Sequence, residues 1–158
     1  MKYRNTYSLM DEMMASTTQP LPAEKIRHQL SRMYQGLHSL ETSDLPTMDD
    51  WQVVSDAVNM LETFVEKGIC EDQTGLLPDA VSALAMAGRR HFEHGVIRLD
   101  AKGIATIRAV LEDYAGLIEV LPARVMIHCH RKTEKRLHGM IQGKAKPHDV
   151  IVNKKRKN

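Results

Sequence analysis

Residues 100–122, DAKGIATIRAVLEDYAGLIEVLP, place Ile104, Ile107, Leu111, Tyr114, Ile118 and Leu121 at alternating steps of three and four. That spacing keeps one side of a helix apolar along its whole length. A strand, which alternates every second residue, cannot use it. Asp100 is placed to cap the start, and Pro122 to end the helix or open the next.

The same stripe recurs along the chain. Ile26, Leu30, Met33, Leu37 and Leu40 mark a helix opened by Pro22 and Glu24, in which Gly36 either weakens the helix or allows a close crossing. Thr47 and Asp50 form a capping-box signature ahead of Trp51, Val54, Val58, Leu61 and Val65, and Gly68 is a natural stop. Val81, Leu84, Ala85, Gly88 and Phe92 predict the inward face of a third helix ending at Gly95. Met126, His130, Thr133, Leu137 and Met140 share one side of the last.

Aromatic residues make up only 4% of the 158 residues, so the core must come from Leu, Ile, Val, Met and Ala. Such side chains suit packed helices better than a sandwich or barrel. The expected fold is therefore all-α, a compact bundle of four to five helices with a flexible N-terminal arm and a basic C-terminal tail. In residue terms, 1–20 is the arm, 21–142 a single helical domain and 143–158 the tail.

Cys70 and Cys129, 59 positions apart, form neither a CxxC pair nor a disulfide framework. The first sixteen residues acquire Asp11 and Glu12 and develop no apolar run, unlike a signal peptide. No apolar run has the length needed to span a membrane. The expectation is a cytoplasmic protein with reduced thiols and no membrane partner.

Charge is unevenly spread. Residues 1–123 hold 11 Lys/Arg against 18 Asp/Glu, a balance of −7, whereas residues 124–158 hold 11 against 2, a balance of +9. A basic end on an acidic body points to a polyanion, commonly nucleic acid. Within VMIHCHRKTEKRLHGM (residues 125–140), Arg131, Lys135 and His138 occupy i, i+4 and i+7, and Arg124 lies one heptad earlier. The candidate nucleic-acid contacts are Arg124, Arg131, Lys132, Lys135 and Arg136, with Lys144, Lys146, Lys154, Lys155, Arg156 and Lys157 of the tail.

Other chemistries fit less well. His91 and His94 have the i,i+3 spacing of helical metal ligands, and with His128 and His130 they form the weak candidate metal set. On a helix, however, His128 and His130 diverge by about 200°. Cys129 between two histidines is not thereby a Cys–His pair, because helical neighbours point about 100° apart. Neither a phosphate-binding Gly-rich loop nor a GxSxG elbow occurs. The functional expectation is a small non-catalytic accessory or regulatory protein without a cofactor, contacting nucleic acid through the last helix and tail. The alternative is a helical adaptor or inhibitor that binds another protein through an apolar groove, with the methionine cluster Met10, Met13 and Met14 available for such contacts.

Overall fold

The structure, a computed structural model, describes residues 5–141. Six helices occur among them: α1 (Leu9–Met14), α2 (Ala23–Thr42), α3 (Met48–Glu66), α4 (Leu77–His94), α5 (Ala101–Ile118) and α6 (Ala123–Ile141). The all-α class is as expected, but the count of four to five helices is corrected to six. The additional helix is α1, inside the segment expected to be a flexible arm. A reciprocal capping box starts it: Ser8 Oγ accepts from the Asp11 amide at 3.0 Å, and the Asp11 carboxylate accepts from the Ser8 amide at 2.7 Å.

The other five helices form the body, with α3 at its centre. It packs against α2, α4, α5 and α6. Consequently it is buried beyond a single stripe: Val54, Ala57, Val58, Met60, Leu61 and Phe64 are buried together with Ser55, Glu62 and Thr63. The predicted caps form as the sequence indicates. Thr47 and Asp50 make a capping box on α3, and Asp100 accepts from the Gly103 amide at 2.6 Å on α5. On α4 the inward face is rotated from the expected one. Leu77, Ala80, Leu84 and Ala87 are buried, while Phe92 is 92% exposed. The rotation seats Trp51 over Gly88, where the indole N–H donates to the Leu84 carbonyl at 2.9 Å. Among the described residues, no helix is long and apolar enough to cross a membrane.

Gly36 sets the approach of α2 to α3. A Cβ there would lie 2.6 Å from Val53 Cγ2 and 2.9 Å from the Asp50 carbonyl oxygen, and that second neighbour is backbone. Gly116, on an exposed side of α5, has nothing within 4 Å of its notional Cβ. Gly36→Ala should therefore destabilise the protein by about 1–3 kcal/mol through overpacking, despite alanine's better helix propensity. Gly116→Ala should stabilise it by about 0.5–1 kcal/mol. Urea unfolding of the two variants measures both signs, and a stabilising Gly36→Ala would contradict the close crossing.

Candidate functional site

The basic helix α6 lies between α3 on one side and the N-terminal segment on the other. Its free N-terminal amides find partners in that segment: Ala123 N–H donates to the Gln19 carbonyl at 2.8 Å, and Arg124 N–H to the Ser16 carbonyl at 2.9 Å. Residues 6–19 thus run along α6 as a strap. At its far end, the Thr6 amide donates to both oxygens of the Glu134 carboxylate at 3.2 Å. Tyr7 is buried, with its ring edge-on to His130 at 5.2 Å and the Lys25 ammonium 4.4 Å from its centroid.

Three of the five predicted basic contacts on α6 are engaged from within the chain. Glu12 accepts from His128 Nδ1 at 3.0 Å and from Arg131 at 3.1 Å. Arg124 donates to the Met13 carbonyl at 2.5 Å. Arg136, on the opposite side, meets Glu62 at 3.6 Å and Glu66 at 3.2 Å, and donates to the Asn59 carbonyl at 3.2 Å. Lys132 and Lys135 are exposed, and among the described residues neither forms an ion pair. The remaining predicted contacts, Lys144, Lys146, Lys154, Lys155, Arg156 and Lys157, lie outside the described residues.

The histidines do not converge. His91 and His94 sit near the C-terminal end of α4, which packs against α3 and α5, while His128 and His130 face the strap. Among the described residues, no group of three His, Cys, Asp or Glu side chains is arranged to hold a metal ion. Cys129 has no exposed surface, and burial pushes its thiol up to about 11. It is a small apolar core residue at neutral pH, not an activated nucleophile. Burial and the nearby Asp113 and Asp72 likewise raise Cys70.

Comparison with known proteins finds no family model, no curated protein and no solved structure that matches the chain. Its own geometry therefore carries the functional reading.

The most unusual surface belongs to the strap. Helix α1 has no buried residue, and Leu9, Met10, Met13 and Met14 are 55%, 64%, 59% and 79% exposed. Its acidic Glu12 turns inward to the protein while its apolar side chains face water. This inversion is why the helix escapes a search for buried stripes. The available signal was the Ser8–Asp11 capping pair. Glu12 and Tyr7 carried no signal of their own, because His128 and Arg131 on Glu12 and His130 on Tyr7 lie more than a hundred positions away.

Three titrations, those of His130, Glu12 and Asp11, act on the strap in the same direction. Burial alone would raise the Glu12 carboxyl, but the hydrogen bonds and charges of Arg131 and His128 outweigh it and hold it below the ordinary value of 4.5. Burial lowers His130 below 6.5, with Lys25 adding to the effect and Glu134 and Asp56 opposing it. A His with a depressed folded pKa binds its proton more readily once undocked, so stability is lost as pH falls below 6.5. A Glu with a depressed folded pKa contributes stability above 4.5 that is lost as pH falls through its folded value. Amide exchange of residues 6–16 should therefore accelerate in two stages on acidification, one below 6.5 and one below 4.5. Glu12→Gln should shrink the second stage to the share of the Asp11 cap, which the Ser8 hydrogen bonds also hold below its ordinary value, and His130→Phe should remove the first. Exchange independent of pH, after correction for intrinsic rates, would refute this.

Proposed function

We propose that this protein is a non-catalytic helical adaptor that binds another protein through the outward face of α1. The observation that carries the reading is the exposed row Leu9, Met10, Met13 and Met14, on a helix held in place by Glu12, His128 and Arg131. Clustered apolar side chains in water mark an interaction site more often than scattered ones do. Methionine suits such a site because its flexible thioether adapts to a partner's surface. A helix already fixed in place loses less conformational freedom on binding than a disordered segment. The surface is a ridge that would enter a partner's groove, not a groove of its own. Cytoplasmic action accompanies this reading, with both cysteines free thiols.

A photo-crosslinker at position 14 should capture one discrete protein in the native host, and the same group at Glu24, exposed on α2, should not. Leu9→Asp with Met13→Asp should abolish the adduct without lowering the thermal midpoint. Equal capture from both positions, or capture indifferent to the double variant, would refute the ridge.

A second reading, nucleic-acid contact, is favoured by Lys132 and Lys135, which are exposed and form no ion pair among the described residues. With Arg131 and Arg136 paired to carboxylates, that surface narrows to Arg124 and the two lysines plus Lys144, Lys146, Lys154, Lys155, Arg156 and Lys157. A salt titration of binding to mixed-sequence DNA and RNA tests it. Lys132→Ala with Lys135→Ala should reduce the log–log salt slope by about 2, and truncation after Gly143 should reduce it further. Absence of binding at low salt would end this reading and leave the first untouched.

A further inference from the structure

Beneath the strap, between the end of α3 and the first turns of α6, lies an open cavity of about 440 Å³. That volume falls within the range of small-molecule sites. Its apolar wall is made by Ile69, Val125 and Cys129, and its polar groups include Lys67, Arg124 and His128. The carboxylate on the wall, Glu12, is already held by Arg131 and His128. Lys67 is exposed and, among the described residues, forms no ion pair. Arg124 gives one amine to the Met13 carbonyl, and its guanidinium keeps further N–H donors. The cavity is therefore electropositive at one edge and apolar across its wall.

These two properties define a ligand class. An anionic head meets Lys67 and Arg124, and only an apolar body gains from covering the part-exposed Ile69 and Val125. A cationic amphiphile would face like charges. A small anion without a chain would leave the apolar wall wet. We propose that this cavity binds a small amphipathic carboxylate, its head on Lys67 and Arg124 and its chain along Ile69 and Val125. Cys129 lies buried behind that wall and offers no nucleophile, so binding is non-covalent and reversible. The site is separate from the ridge proposed for protein docking, since Leu9, Met10, Met13 and Met14 do not line it.

The test is an NMR titration of the full chain with octanoate, with octylammonium and butyrate as comparison ligands. Octanoate should give saturable shifts at the amides of Ile69, Val125 and Cys129, with a Kd on the order of 0.1–1 mM. Octylammonium and butyrate should each bind at least roughly tenfold more weakly, a difference of about 1.4 kcal/mol. Lys67→Glu, at an exposed position, should weaken octanoate at least roughly tenfold while the thermal midpoint holds. Thr17→Trp, filling the cavity from its exposed rim, should abolish the shifts. The proposal is overturned if no saturable shift appears, if octylammonium binds as well as octanoate, or if neither variant weakens binding.

Discussion

The charge buried on α3 governs how the C-terminal half of the protein is arranged. Glu62 is 3% exposed on a helix packed by four others, and a buried carboxylate needs a cation at hand. Arg136 of α6 lies beside it and also reaches Glu66 and the Asn59 carbonyl. The Thr63 and Thr133 hydroxyls, 2.6 Å apart, pin the same crossing one turn away. With Arg136 turned toward α3, the rest of α6 has no rotational freedom. Arg131 stands about 140° around the helix from Arg136, and Arg124 falls close to the line of Arg131. Both arginines therefore point to the side that the strap covers.

Part of the sequence's charge asymmetry is resolved inside the molecule. Glu12, Glu62 and Glu66 belong to the acidic portion of the chain, and their partners Arg131, His128 and Arg136 belong to the basic end. A charge excess of this kind is commonly read as an offer to a polyanion. Here part of it binds two halves of one chain together, and among the described residues of α6 Lys132 and Lys135 are left facing outward. Arg108 and Glu41 make a comparable link between α5 and α2 at the surface.

The five body helices were legible because periodicity is local. Ile104 to Leu121, or Ile26 to Leu40, can be recognised without knowing what lies opposite, and Thr47–Asp50 and Asp100 announce their caps within three residues. Facing was less legible. Phe92 is apolar and correctly spaced, yet α4 turns Ala80 and Ala87 inward because Trp51 needs the space over Gly88. The candidate site was the least legible of all. The identity of the basic residues on α6 was plain, but their availability depended on Glu12, Met13 and Glu62, distant in sequence. Helix α1 was hidden for a related reason: at six residues it is too short to show a period, and its apolar side faces outward.

The way α1 is fastened also sets a separate clock for that helix. The body is closed by buried side chains such as Phe64, Ile107, Leu111 and Ile118, and it opens only by exposing them together. Helix α1 contributes no buried residue of its own and is tethered by carboxylate, imidazole and guanidinium contacts at a wet surface. Such contacts break and reform at little cost to the core, so α1 opens separately from the body, while Tyr7, buried at the strap's end, opens with it. Dissolved ions screen the tethers of α1 far more than the packing of the body. A protease would accordingly meet the segment around residue 13 many times in the lifetime of one folded body, and more often in salt than in dilute buffer.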